Sequence, residues 1–335
     1  MKKNAIYFRK FRKKILFIVI IQTKSRFSAI ILAKSRLFSF ILAYSHFIQV
    51  RFRRVFLIFY VDKNSILSYT VSKVSHFQKN DIKEKRKMKK LFDIPYGEHE
   101  RNILNIYLPD GEVNSVFVYF HGGGITGGSK EAANILAPFL TEQGVCVMSA
   151  NYRLYPNCKF PDFLCDAAQA VAFAHKYMCE KLGCTKLFVG GSSAGGYISM
   201  MLCFDPKYLA AAGIDNSVIA GYYHDAGQPT VHFNVVRERG MDRRRVIIDE
   251  DAPLYHIGTA EKYPPMRFIV SDDDIKNRYE QTMLVLKTLE DFRYNDFDHV
   301  VMHGTHCQYC AAKDEDGNSV FAPMIWDFIK KVKNK

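Results

Sequence analysis

The most constraining feature of the chain is the pentapeptide Gly191-Ser192-Ser193-Ala194-Gly195, set between two runs of different periodicity. Before it, Lys186–Gly190 is short with the apolar centre Leu187-Phe188-Val189, as in a buried strand. After it, Ala194–Phe204 has the length and composition of a helix. A G-x-S-x-G turn between strand and helix holds its serine in a strained backbone conformation. Only small neighbours fit, hence a glycine two residues to either side. The hydroxyl of Ser193 is lifted clear of the sheet, and the next helix aims its free N–H groups and positive dipole end at the reacting oxygen. Ser192 is out of register for this role and reads as structural.

The same alternation of short apolar strands with helices extends through the body of the chain. Strands are predicted at Asn102–Leu108, Val116–Phe120, Val145–Ser149, Lys186–Gly190, a stretch ending at Val218–Ala220, Met266–Ser271 and His299–Met302. Helices are predicted at Lys130–Glu142, Pro161–Leu182, Ala194–Phe204, Asn277–Phe292 and Val320–Lys333. This order specifies an α/β fold with a mostly parallel central sheet covered by helices on both faces. The polar stretch His224–Ile257 interrupts it and is expected to be a small cap insertion over the sheet's C-terminal edge.

The net charge of +13 suggests a nucleic-acid or membrane partner until its distribution is followed. Residues 1–61 hold 14 Lys and Arg and no acid, whereas from Met88 onward there are 26 basic and 31 acidic residues. The body is mildly acidic, which gives no reason to expect nucleic acid as a partner. Within the first 87 residues the uncharged runs Ile15–Thr23, Phe27–Ala33 and Leu37–Val50 are each shorter than the roughly 20 apolar residues of a spanning helix. Residues 1–87 are expected to be a basic, hydrophobic extension, non-native or poorly ordered. Residues 88–335 are expected to be the catalytic domain, because Met88-Lys89-Lys90-Leu91-Phe92-Asp93-Ile94-Pro95 reads like an ordinary protein start. Membrane association is expected only if that extension is genuine. The eight cysteines are scattered through predicted helices and strands, which favours reduced thiols and a cytoplasmic location.

A serine nucleophile needs a base and an acid that orients it, in the chain order serine, acid, histidine. His306 follows the last strand in the segment Met302-His303-Gly304-Thr305-His306. It is better placed than His299, inside that strand, or His303, at its end. The acid falls among Asp272, Asp273 and Asp274 after Met266–Ser271. Asp274 is preferred because the loop must first turn over the sheet edge, with Asp272 the runner-up and Asp273 solvated. His121-Gly122-Gly123-Gly124 lets backbone N–H groups approach an oxyanion, with Gly123, Gly124 and Ala194 as donors.

Two rival chemistries use the same residues. Gly122, Gly124 and Gly127 spell the G-x-G-x-x-G dinucleotide fingerprint, but the next strand ends in Ser149-Ala150-Asn151 without the acid that would bind ribose. His303, His306, Cys307 and Cys310 have a C-x-x-C spacing suited to zinc. No second cysteine pair accompanies them, and metal on His306 would leave Ser193 without a base. No cofactor and no metal are expected.

Taken together, His121–Gly124, Asn151-Tyr152-Arg153-Leu154-Tyr155-Pro156, Gly191–Gly195 and His306 resemble the hormone-sensitive-lipase-like and related carboxylesterase group of α/β-hydrolases, over about Ile94 to Lys333. The resemblance implies hydrolysis of carboxylic esters with small or short acyl groups through an acyl-enzyme. The nucleophile falls on Ser193, the base on His306, and the oxyanion donors on Gly123, Gly124 and Ala194. The chain departs from the family at Ser271, where a glycine is usual, and at Tyr155, where alanine is usual. An arylformamidase or a peptidase would share this machinery.

Overall fold

The computed structural model describes residues 16–22, 27–33 and 88–335. Two units separate within the chain, Met1–Ile82 and Lys83–Lys335. In the first, β1 (Leu16–Gln22) pairs antiparallel with β2 (Phe27–Ala33). Two of the uncharged runs considered as possible membrane segments are therefore strands. The third, Leu37–Val50, lies outside the described residues, as does most of the expected extension 1–87. No helix among the described residues is long and apolar enough to cross a membrane.

The second unit is built on an eight-stranded sheet of order β10-β9-β8-β7-β5-β6-β4-β3. Its strands are β3 (Lys89–Pro95), β4 (Ile103–Leu108), β5 (Ser115–Phe120), β6 (Val145–Ala150), β7 (Leu187–Ser192), β8 (Ile219–Asp225), β9 (Met266–Asp273) and β10 (Phe297–Thr305). From β6 to β10 every neighbouring pair is parallel, and β4 and β3 close the other edge antiparallel. The period-2 alternation of side chains sorts each central strand onto two cores. Val116, Val118 and Phe120 of β5 face one core, together with Cys146, Met148 and Ala150 of β6. Phe117, Tyr119, Val145 and Val147 face the other. The first core is roofed by α2 (Asp162–Tyr177), α3 (Ala194–Phe204) and α6 (Arg278–Asp291), and the second by α1 (Ala137–Glu142) and α8 (Phe321–Lys333). Apolar residues on both faces explain why these strands read as unbroken hydrophobic runs.

The structure differs from the expected elements at several points. β3 was not anticipated: it is a mostly exposed edge strand, interrupted by a bulge between Leu91 and Ile94. Lys130–Glu142 is two pieces, a 3₁₀ stretch Lys130–Ile135 and then α1. The predicted Pro161–Leu182 helix relaxes after Tyr177 into a wider turn, Met178–Leu182, closed by Gly183 in the left-handed conformation. Val218 ends a 3₁₀ turn and Ile219 and Ala220 begin β8 rather than ending a strand, so His224 and Asp225 belong to the sheet and the insertion starts only after them. Residues 226–232 of that insertion are buried, not lid-like. Their polar groups are satisfied internally: Gln228 Nε2 donates to Thr230 Oγ1 at 3.0 Å and to the Val231 carbonyl at 2.8 Å, and the Arg278 guanidinium donates to the Ala226 carbonyl.

Candidate active site

The nucleophile turn is set by close backbone approach. Ser193, the residue preceding α3, has φ 57° and ψ −112°, a conformation that L-residues rarely adopt. It is pinned there by its own N–H, which donates to the Asp225 carbonyl at 2.8 Å. A Cβ on Gly195 would lie 2.0 Å from the Phe120 carbonyl oxygen, and one on Gly191 would lie 2.6 Å from the same atom. Side chains at those two positions would push the turn off the end of β5. Ser192 points the other way, buried, and accepts from the Tyr119 hydroxyl at 2.9 Å.

Ser193 Oγ lies 2.8 Å from Nε2 of His306, and Nδ1 of His306 lies 2.5 Å from Oδ1 of Asp274. With Nδ1–H donating to the carboxylate, Nε2 is left as the acceptor for the serine hydroxyl. Asp274 stands one residue beyond the end of β9, with its side chain fully shielded from solvent. It also accepts from the backbone N–H groups of Ile275 at 2.7 Å and Ser271 at 3.3 Å. Burial works against its charge, but these donors and His306 outweigh burial and hold the carboxyl below its ordinary range. For His306, burial disfavours the imidazolium. The Asp274 carboxylate and the neighbouring Cys307 sulfur favour it more strongly, and the pKa rises to about 9.

The other candidates occupy different positions. Asp272 accepts from His303 Nδ1 at 2.7 Å and from Gly304 N–H at 2.9 Å, and this pair is at the surface, with the His303 side chain 97% exposed. Asp273 is exposed. His299 lies within β10. Because His303 is turned to solvent and bound to Asp272, the four residues His303, His306, Cys307 and Cys310 do not converge. A different group does: one ligand-type atom each from Asp225, Cys307 and Cys310 lie within 4.8 Å of one another. Asp225 carries no local sequence signal for this group, because its polar surroundings His224–Ile257 resemble a cap and only the sheet pairing of β8 brings it to the cysteines.

The glycine loop after β5 carries Gly123 and Gly124, both with positive φ. Neither of their N–H groups has a backbone acceptor among the described residues, and Ala194 is the first residue of α3, where the N–H has no intrahelical partner. The loop is braced from several sides. The Tyr152 hydroxyl donates to the His121 carbonyl at 2.7 Å, the Asn234 amide donates to the Gly124 carbonyl, and Tyr155 N–H donates to the Ile125 carbonyl at 2.8 Å. Arg153 holds the adjoining segment through a bidentate ion pair with the buried Asp166, at 2.8 and 2.9 Å. The loop runs on into the 3₁₀ stretch Lys130–Ile135, not into the N-terminus of an α-helix, so the phosphate cradle required by a dinucleotide fingerprint is missing at Gly122, Gly124 and Gly127. Beside the loop, between the Tyr155–Lys159 segment and α5 (Phe233–Glu238), opens a cavity of about 580 Å³. Thr126, Tyr155, Asn234 and Arg237 are among its lining residues.

A parallel sheet, a strained serine between β7 and α3, and loops carrying His306 and Asp274 from the C-terminal ends of β10 and β9 are the arrangement of the α/β-hydrolase fold. Comparison with known proteins agrees: a family model described as alpha/beta hydrolase fold matches residues 117–221. Esterase B from Lactobacillus rhamnosis superposes with a TM-score of 0.60 at 15% identity, over 79% of this chain and 91% of that one. Among curated sequences, the chain is 32% identical over 128 residues to a probable isoprenylcysteine alpha-carbonyl methylesterase, ICMEL2, of Arabidopsis thaliana, which is 36% of this chain and 29% of that protein. It is 33% identical over 101 residues to the carboxylic ester hydrolase LipN of Mycobacterium tuberculosis, which is 29% of this chain and 27% of that protein. The chain thus spans less than a third of the length of either curated relative.

Proposed function

We propose that this chain is a serine hydrolase that cleaves carboxylic esters with small or short acyl groups through an acyl-enzyme. The observation that carries the reading is the unbroken line Asp274–His306–Ser193 beside the Gly123, Gly124 and Ala194 amides. Two curated relatives named as ester hydrolases support it. His306 Nε2 takes the proton of Ser193 as Oγ adds to the ester carbonyl, and the imidazolium is stabilised by Asp274. The three amides hold the oxyanion, and losing one such donor costs about 3–4 kcal/mol in comparable enzymes. As the tetrahedral adduct collapses, the C–O bond to the alcohol breaks and His306 protonates the leaving oxygen. Water, deprotonated by His306, then adds to the acyl-enzyme and releases the acid and Ser193. The substrate's variable part enters the cavity beside Tyr155. Neither cofactor nor metal takes part in these steps. Residues 88–335 form the catalytic unit, and removing residues 1–87 leaves turnover unchanged. A cytoplasmic location is part of the proposal, supported by the eight unpaired cysteines.

The test compares the full chain with Ser193→Ala and His306→Ala on acetyl, butyryl and octanoyl p-nitrophenyl esters, with EDTA present. Turnover by the parent that collapses in both folded variants upholds the proposal. A folded parent that neither turns over nor reacts with a fluorophosphonate probe overturns it. An N-formyl anilide in the same series separates esterase from arylformamidase.

A further inference from the structure

We infer that Cys307, Cys310 and Asp225 form a binding site for a soft divalent cation of the zinc type, and that its occupancy draws His306 away from Ser193 and silences turnover. The binding half stands on geometry alone, while the silencing half rests on the ester-hydrolase reading above.

Cys307 sits immediately before α7 (Gln308–Ala311), and Cys310 N–H donates to the Cys307 carbonyl at 3.0 Å. This turn brings the two sulfurs of the C-x-x-C segment to one side. Across from them, at the end of β8, is the carboxylate of Asp225, with Cys310 Sγ 3.1 Å from its Oδ2. All three donor atoms lie within 4.8 Å of one another. A tetrahedral zinc centre, with Zn–S near 2.3 Å and Zn–O near 2.0–2.2 Å, places its donors about 3.3–3.8 Å apart. Small side-chain shifts therefore convert the cluster into three corners of such a centre.

The chemistry of the donors points the same way. Asp225 has no solvent exposure, and among the described residues no Lys or Arg pairs with it. Its hydrogen-bond partners are all neutral groups, the Tyr309 hydroxyl, the Cys310 thiol and the Ser192 hydroxyl. A buried carboxylate held only by neutral donors still carries a desolvation cost, and a cation beside it offsets that cost. Two thiols facing it select a thiophilic metal over magnesium or calcium. On binding, both thiols deprotonate and two protons are released, with no change of oxidation state.

The fourth corner makes the site regulatory. Cys307 Sγ is 3.7 Å from His306 Nε2, a separation that fits an S–N edge of the same tetrahedron. That nitrogen is the one facing Ser193 Oγ at 2.8 Å. As the ring now stands it is not part of the mutually close group. To become the fourth ligand it must leave the serine, which removes the base from the reaction.

The experiment titrates the full chain, metal-free and kept reduced with a phosphine, with Co²⁺. A thiolate-to-cobalt charge-transfer band that saturates at one equivalent and is displaced by Zn²⁺ is the expected result. One equivalent of Zn²⁺ removes most ester turnover, and EDTA restores it. Losing even an outer-shell partner costs about 10–100-fold in metal affinity, so Cys310→Ser weakens Co²⁺ binding by at least about 10-fold and relieves the Zn²⁺ inhibition. Ser193→Ala keeps the band. Independently of any variant, Zn²⁺ protects Cys307 and Cys310 of the parent from alkylation, read peptide by peptide. Absence of the band, equal Zn²⁺ inhibition of parent and a folded Cys310→Ser, or unprotected cysteines each overturn the inference. If the band appears in a chain without ester turnover, the metal site stands and the functional reading falls. Turnover without the band is the reverse.

Discussion

Asp274 and His306, 32 positions apart in the chain, meet at 2.5 Å through Oδ1 and Nδ1, with the carboxylate closed off from solvent. Thirty-one positions apart, Asp272 and His303 make a similar pair at 2.7 Å on the surface, with the His303 ring in water. Two neighbouring Asp–His pairs in one strand–loop region set up a direct comparison. Replacing Asp274 by Asn presents an amide to the imidazole and removes the charge that stabilises its cation. In a serine protease the equivalent change lowers kcat about 10⁴-fold, and a fall of that order in kcat is expected here. Asp272→Asn, removing a screened surface pair that contributes little, is expected to leave kcat near the parent value. Steady-state kinetics on p-nitrophenyl acetate decides between them, and equal losses from both would remove Asp274 from its proposed role.

The pH profile follows from the same contact. Catalysis needs the neutral imidazole, so kcat/KM climbs as pH rises through the pKa of His306 in the free enzyme and levels off above it. Burial alone would move that pKa down, but Asp274 and Cys307 carry it up to about 9. The climb is therefore expected on the alkaline side of neutrality. In Asp274→Asn the carboxylate's contribution is gone and burial remains, so the midpoint of the residual activity moves to lower pH. A midpoint that stays put in the variant would contradict the assignment of His306 and Asp274 as partners.

The glycines of the two turns differ sharply in what they can tolerate. A Cβ at Gly195 meets the Phe120 carbonyl oxygen at 2.0 Å and its carbon at 2.6 Å, both backbone atoms of a central strand that cannot step aside. Overpacking of this kind costs about 1–3 kcal/mol where side chains can adjust. Gly195→Ala is expected at or beyond the upper end of that range, with loss of turnover. Gly127 has open space where its Cβ would go and no positive φ. Gly127→Ala is expected within about 0.5 kcal/mol of the parent. Thermal unfolding of the two variants measures the contrast.

What the sequence discloses about this fold depends on how local the cause is. The buried strands β5, β6 and β7 are legible because both of their faces are apolar, and the serine turn because its steric demand is met by glycines within two residues. β3 is not legible: an edge strand with Lys89, Lys90 and Asp93 facing solvent has neither an apolar run nor a clean alternation. β8 is misread for a related reason. His224 and Asp225 look like loop residues until parallel neighbours on both sides supply their hydrogen bonds. Nothing local links Asp225 to Cys307 and Cys310, more than 80 residues later, because only the sheet brings them together. Three adjacent acids after Met266–Ser271 likewise leave the choice among them to loop geometry, which no periodicity encodes. The burial of residues 226–232 depends on Arg278 and on Gln228 turning inward, both long-range contacts.

Tyr155 is one of the two positions at which the chain departs from the carboxylesterase pattern it resembles, and it lines the cavity beside the glycine loop. Its ring packs against Phe163, with centroids 6.1 Å apart, and its hydroxyl donates to Glu238 of α5. If the cavity takes the acyl chain as proposed, a bulky, tethered ring at its wall limits the length that fits. Tyr155→Ala removes the ring and frees volume along the cavity. Each additional buried methylene then contributes about 0.8 kcal/mol, and a pocket enlarged by one or two methylenes shifts preference by roughly tenfold. The ratio of kcat/KM for octanoyl over acetyl p-nitrophenyl ester is expected to rise by about that factor. Tyr155→Phe separates the two contributions of the side chain, since it keeps the ring and loses only the bond to Glu238. If ring volume sets the limit, Tyr155→Phe retains the parent's chain-length profile. If the tether to α5 sets it, Tyr155→Phe and Tyr155→Ala shift the profile together, and the cavity's size is governed by the position of α5 rather than by the ring.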